Sequence, residues 1–317
     1  MIYFRTSSCN IINRHLNLFR MTVHIFIFII FLGCKSFGPE ILMSTGKNDL
    51  TTTEQLIKKG ADVNHTDTIS TPLYNAIKHY NAAMVKSLLK GGATPEDNRL
   101  ALINVYFTDN EIDTLRNIRQ KRSKIDNSNF LEKIDEKNQI IKMLIDGGWN
   151  TNVQNKKGIT PLKNVALAGQ PGLVKMLLQK QSGVVQHRNN KRSRTGHHQV
   201  ARIQRRGLTP LHYAGMGGEP ETVKLLIEAG YDVNAKTEII HKSGGHWSAL
   251  AFAVDHGNYE AVKILVENGA EINDSVYWGY GESRSIYELA RWKGETNVLK
   301  YLMNKGMKAT PDPRPCN

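Results

Sequence analysis

An apolar triplet at i, i+3 and i+4 returns along most of this 317-residue chain, and nothing else in the sequence constrains the fold as tightly. It reads Val85, Leu88, Leu89; Ile141, Leu144, Ile145; Val174, Leu177, Leu178; Val223, Leu226, Ile227; Val262, Leu265, Val266; and Leu299, Leu302, Met303. A weaker copy, Thr53, Leu56, Ile57, opens the series. That spacing puts three side chains on one helix face, so each copy predicts a helix with a single buried stripe. Seven residues after the first member of each triplet stand Gly60, Gly92, Gly148, Gln181, Gly230, Gly269 and Gly306. Glycine adopts the left-handed conformation that ends a helix without a Cβ penalty, so the helices are expected to stop there, with Gln181 as the departure. Asn64, Asn152, Asn234 and Asn273, four residues further on, suit the turn that follows.

A second helix precedes each of these, announced by Thr71-Pro72-Leu73, Thr160-Pro161-Leu162 and Thr209-Pro210-Leu211. Threonine caps the helix and proline fills its first turn, where the missing N–H costs nothing. Pro171 and Pro220 open the second helix of their units in the same way. Gly207-Leu-Thr-Pro-Leu-His212, Gly60-Ala-Asp-Val-Asn64 and Gly269-Ala-Glu-Ile-Asn273 together resemble the ankyrin-repeat family over roughly residues 40 to 309. The resemblance implies an all-α solenoid of about seven helix-turn-helix repeats with turn insertions, acting as a binding scaffold without catalytic machinery. Tyr74, Lys163 and Ala251 replace the motif's histidine, which predicts weaker hydrogen bonding between repeats there.

The glycine series also measures where the array departs from its period. Successive spacings are 32, 56, 33, 49, 39 and 37 residues, against about 33 for the family. The first large excess falls at about residues 107–137 and holds seven basic and seven acidic residues between Asp109 and Lys137. Ile112, Leu115 and Ile118 recur at helical spacing there, as do Phe130 and Ile134, which predicts two prolonged helices projecting as a hairpin; a degenerate extra repeat is the alternative. The second excess is the loop 187–206, which contains Arg188, Lys191, Arg192, Arg194, Arg202, Arg205 and Arg206 and no acid. It holds +7 of the formal net charge of +13, so the basic character is local. The last two lengthen consecutive turns, Lys236 to Trp247 and Asp274 to Arg284.

In the family, such turns stack as fingers along the concave side, where proteins are usually bound. The resemblance therefore implies one recognition surface built from Trp247, Tyr277, Trp278 and Tyr280 with Arg188, Arg192, Arg194, Arg202, Arg205 and Arg206, since Trp, Tyr and Arg dominate interface hot spots. The alternative is that the aromatics pack on one another to stiffen long turns while the basic loop is a solvated tether. Lys86, Lys142, Lys175, Lys224, Lys263 and Lys300 follow the apolar triplets and read as an exposed helix face.

Ahead of the repeats, Ile25 to Gly33 is an apolar run preceded by Arg5, Arg14 and Arg20, with no acid before Glu40. Nine helical residues rise about 13 Å, too short for a hydrocarbon core of roughly 30 Å, and the layout is that of a signal peptide. Phe31-Leu-Gly-Cys34 resembles a bacterial lipobox, with Cys34 as the lipidated residue; a start at Met1 supplies the arginines and a start at Met21 does not. The expected organisation is a signal peptide over 1–33, a lipidated linker over 34–39, the repeats over 40–309 and a tail over 310–317. An ordinary apolar N-terminus with Cys34 as a plain thiol is the alternative.

No catalytic motif emerges. Gly215-Met-Gly-Gly218 lies between two helices rather than after a strand, and Thr45-Gly-Lys47 lacks the hydroxyl residue of a phosphate-binding loop. His197-His198, and His241 with His246, lack the further ligands a metal site needs. The expectation is a monomeric, non-enzymatic protein at the cell envelope, without metal or cofactor, binding a protein with an acidic surface. A binder of nucleic acid or another anionic polymer through loop 187–206, secreted or translocated, is the second expectation.

Overall fold

The computed structural model of the chain describes residues 37–67, 70–95, 106–120, 127–155, 158–185, 207–237, 246–279 and 282–309. Their helices begin as antiparallel pairs, α1 (Gly38–Gly46) with α2 (Leu50–Lys58) and α3 (Pro72–Lys78) with α4 (Ala82–Lys90); α5 (Asp109–Arg119) and α6 (Ser128–Asp146) follow but do not pack along each other as such a pair. After these follow α7 (Pro161–Ala168) and α8 (Pro171–Val185), α9 (Pro210–Gly217) and α10 (Pro220–Glu228), and α11 (Ala249–Asp255) and α12 (Tyr259–Glu267). A short hairpin, β1 (Ser275–Gly279) and β2 (Glu282–Ser285), leads into α13 (Ile286–Trp292) and α14 (Thr296–Asn304).

The second helices α2, α4, α6, α8, α10, α12 and α14 stack in one row, each touching the next, and a row of first helices packs against them. The predicted caps explain where the first helices begin. Thr71 Oγ1 accepts from the Tyr74 amide at 3.0 Å and Thr160 from Lys163 at 3.3 Å; Ser248, which no motif announced, caps α11 in the same way, accepting from Ala251 at 3.2 Å. All six predicted glycines end their helices at positive φ, between 82° and 95°. At Gln181 there is no such stop, and α8 runs on to Val185.

The stripes bury as the triplets require: Val85, Leu88, Val174, Leu177, Val223, Leu226, Val262 and Leu265 are fully buried. The last repeat departs by one position. Val298 and Leu302 are buried, while Met303 is 46% exposed, because no further repeat covers α14 among the described residues. The asparagines of the turns join neighbouring repeats. Asn64 Nδ2 donates to Gly92 O at 3.0 Å and its Oδ1 accepts from the Thr94 amide at 2.9 Å, and Asn234 does the same with Gly269 and Glu271. Asn273 Oδ1 accepts from the Lys308 amide at 2.8 Å.

The first helices approach most closely around α9, which touches both α7 and α11. Gly215 and Gly217 permit this. A methyl group on Gly215 would stand 2.5 Å from Ala249 O, and one on Gly217 would fall inside the van der Waals shell of Leu167 O and Ala166 O. These contacts are to backbone, which cannot turn aside as a side chain does.

The insertion of residues 107–137 does not project as a hairpin. Only its second helix is prolonged, as the 19-residue α6, whereas α5 turns along the edge of the stack where the first helices end. Its root is fixed by Phe107, whose N–H donates to Asn164 Oδ1 of α7 at 2.7 Å and whose carbonyl accepts from Asn164 Nδ2 at 3.1 Å. Thr108 and Glu111 form a capping box at its start. Glu111 also receives Lys137 Nζ at 2.8 Å, and this ammonium donates to Tyr106 O at 2.9 Å and lies 4.9 Å from the Phe107 ring centre. Lys137 is only 2% exposed, and burial pushes its pKa down despite the Glu111 carboxylate. Ile112 and Leu115 bury on the stack. Beyond them Arg116 Nε donates to Met216 O at 3.1 Å, Arg119 to Ala168 O and Gly217 O, and Gln120 Nε2 to His256 O at 3.0 Å. The hairpin failed because the ends of α7, α9 and α11 leave carbonyls without helical partners, and the guanidiniums of Arg116 and Arg119 and the amide of Gln120 donate to them.

Two glycines separate close packing from open space. Gly217→Ala should lower the unfolding free energy by about 1–3 kcal/mol, since the backbone must shift. Gly172→Ala, in α8 with nothing within 4 Å of the new methyl, should raise it by about 0.4–1 kcal/mol. Urea denaturation of the two variants checks both, and equal signs would contradict the close approach of α7 and α9.

Candidate functional site

The enlarged turns sit where the first helices begin, at the opposite end from α5. In the first, running from Lys236 to Trp247, the described residues close the base of the loop. Thr237 N donates to Trp247 O at 3.1 Å, His246 N to Thr237 O at 3.0 Å, and Trp247 N to Thr237 Oγ1 at 2.9 Å. Thr237 is 5% exposed, so this clasp is built into the stack. His246 closes the turn at φ 57°, a conformation few non-glycine residues adopt.

Trp247 is half-buried, its ring 5.0 Å from that of Phe252 in α11. Its carbonyl accepts from His212 Nε2 at 3.0 Å, while His212 Nδ1 accepts from the Thr209 amide at 3.0 Å. The motif's histidine thus caps its own helix and clamps the next finger. Trp247 is accordingly a wall of the finger's base as well as a candidate contact.

The second enlarged turn, expected as a loop, is an antiparallel hairpin, the two-stranded addition to an otherwise helical fold. Ser275 pairs with Ser285, Val276 with Arg284 and Tyr277 with Ser283, and a bulge lies between Tyr277 and Gly279. Val276 is fully buried and anchors the hairpin, whereas Tyr277 is half-exposed. Period-2 alternation brings this about, since adjacent residues on a strand face opposite sides. Ser285 continues directly into α13 as its cap, in a box with Glu288.

Lys236 ties the two fingers at their bases, with Nζ 2.9 Å from Asp274 Oδ1 and 3.4 Å from Glu271 Oε2. The Asp274 hydrogen bond holds the Lys236 pKa above the usual lysine value. Sequence reasoning missed this lysine, and its place on the finger beside two acids of the next was the available signal. Trp247 and Tyr277 therefore stand on fingers that the structure joins. Trp278 lies in β1 with its side chain outside the described residues, as are Tyr280, Cys34 and Arg188, Arg192, Arg194, Arg202, Arg205 and Arg206. Trp292, 60% exposed, ends α13 away from the fingers and was also missed. Among the described residues no cluster of three or more His, Cys, Asp or Glu could hold a metal, and no helix is long and apolar enough to cross a membrane.

The His212 clamp makes stability depend on pH. The ring is 1% exposed; burial is the main cause that lowers its pKa below 6.5, and the bond to Trp247 O opposes it. Protonation would also take from Nδ1 the lone pair that receives the Thr209 amide. The unfolded chain binds this proton more readily, so stability is full above about pH 6.5 and falls as the pH drops through the folded-state value. His256 shifts in the same direction, by burial first and then by Arg116. The melting temperature should be flat above pH 7 and decline towards pH 5, with a shallower decline in His212→Gln. A melting temperature that rises on acidification over this window would contradict the clamp.

Comparison with known proteins agrees with this geometry. Residues 133–237 and 197–276 match the family model for ankyrin repeats, in three copies. No curated protein matches the chain. The matched residues take in α6 to α12 with their caps, stop glycines and fingers, and the same helix pairs continue on either side, so the chain carries ankyrin repeats stacked as a mostly helical solenoid.

Proposed function

We infer that this chain acts as ankyrin repeats do in general, as a protein-binding scaffold. We propose that this chain is a non-enzymatic scaffold which holds a protein with an acidic surface against its enlarged fingers, and that it is carried at the cell envelope by a lipid on Cys34. The observation that carries the binding reading is that three consecutive fingers are enlarged, at the junctions after α8, α10 and α12, and that the two described ones are clasped at their bases. The clasped bases hold Trp247 and Tyr277 in place before any partner arrives, which lowers the entropic cost of contacts made there. The contacts proposed are Tyr277, Trp278 and Tyr280, with Trp247 at the finger base, and Arg188, Arg192, Arg194, Arg202, Arg205 and Arg206 on the basic finger. Loop 187–206, with +7 and no acid, supports the second reading of an anionic polymer or nucleic acid as ligand.

A partner captured by crosslinking in intact cells separates anchors from steering charges. Trp278→Ala should cost about 2 kcal/mol, near thirtyfold in dissociation rate. Neutralising Arg192 and Arg194 should instead slow association at low salt, with folding unchanged by circular dichroism. If neither changes binding while substitutions on the outer lysine face abolish it, the fingers are not the interface. Capture of nucleic acid, with affinity that falls steeply with salt, would favour the second reading.

The anchor is tested separately. Mass spectrometry of the native protein should find an acylated cysteine at position 34 as the N-terminus, with residues 1–33 absent. An unprocessed Met1 in the cytoplasm would overturn it.

A further inference from the structure

The α5 helix breaks the rule that a solenoid repeat touches only its neighbours. Its root lies on the third repeat, through Lys137 of α6 with Glu111 and Tyr106 O, with Phe107 bonded as well to Asn164 of the fourth. Its last turn reaches three others: Arg119 meets Ala168 O of the fourth and Gly217 O of the fifth, Arg116 meets Met216 O of the fifth, and Gln120 meets His256 O and Asn258 Oδ1 of the sixth. Eleven residues rise about 16 Å, close to two interaxial steps of 8–10 Å, so the helix is long enough to span three adjacent repeats.

The fourth, fifth and sixth repeats are also those from which the three enlarged fingers leave, one after each of α8, α10 and α12. Their first helices α7, α9 and α11 are thus held at one end by α5, while the described finger bases, Thr237 with Trp247 and β1 with β2, stand at the other end of the first helices. A rotation of one first helix against the next would move a finger tip and would also break a bond to α5.

We propose that α5 is a splint that couples the third repeat to the sixth and fixes the angles between repeats four, five and six, so that the enlarged fingers are set at a preformed spacing. The role of that spacing in recognition rests on the interface reading above. The coupling itself does not.

The bonds are few enough to be tested singly. Gln120→Ala removes the link to the sixth repeat alone, and Arg119→Met removes the last turn's bond to the fourth and one of its bonds to the fifth, leaving Arg116 on Met216 O. Ile112→Ala loosens the apolar foot of α5 and leaves its carbonyl bonds in place. Hydrogen exchange on the full chain without any partner should show amides of α11 and of the turn at His256–Asn258 exchanging about tenfold faster in Gln120→Ala. Ile112→Ala should reproduce this at a distance, and α1 to α4 should be unaffected in both. Arg119→Met should extend the effect to α9; if it proves too unstable to fold, the Gln120 and Ile112 variants decide. Acceleration confined to α5 itself would overturn the proposal, because α5 would then be a passenger on an independently rigid stack. The readout needs no ligand, so the splint can fail while the interface reading stands, and the reverse.

Discussion

No repeat of this chain can bury its own apolar stripe, and the structure depends on that constraint throughout. Each helix pair offers two or three aliphatic residues to the pair before and after it, and the stack closes because the first helices come near enough for Gly215 and Gly217 to meet the backbone of α11 and α7. On α14, which no further helix covers among the described residues, Met303 is exposed. The turn asparagines and the His212 clamp add hydrogen bonds to this packing and set its register.

Most of the architecture was legible because its signals are local. A glycine that must take a positive φ, a threonine that caps, and a proline in a first turn each report on their own few residues, and their recurrence fixed the repeats. The position of α5 was not legible. Its sequence shows an apolar row, Ile112, Leu115 and Ile118, and a balance of charges, which suits a solvated hairpin as well as a docked helix. Most of what holds its last turn down are main-chain carbonyls at the ends of α7, α9 and α11, which carry no mark in the sequence. The hairpin at Ser275–Ser285 was missed for a related reason, since only Val276 reaches the core and a single buried position shows no period.

The candidate site is legible in part. Aromatic and basic residues concentrate in the turns after α8, α10 and α12, and that was visible in the spacing alone. The clasps were not: Thr237 with Trp247, and Lys236 with Asp274, join residues of ordinary type across a finger or between two. They bear on the role of Trp247, whose ring lies on Phe252 and whose carbonyl is held by His212, so that one residue both supports the finger and lines it.

The contacts of α5 also distribute constraint unevenly between the two sides. Arg116, Arg119 and Gln120 must keep their donors, because guanidinium and amide groups do the reaching. Their acceptors at positions 168, 216, 217 and 256 are carbonyls that every amino acid possesses. The host repeats are therefore free to change those side chains, within the limits of packing, without losing the helix. In related chains, positions 168, 216 and 256 should vary more freely than the last turn of α5, whereas Gly217, which has no room for a Cβ, and Asn258, whose Oδ1 accepts from Gln120, should be held.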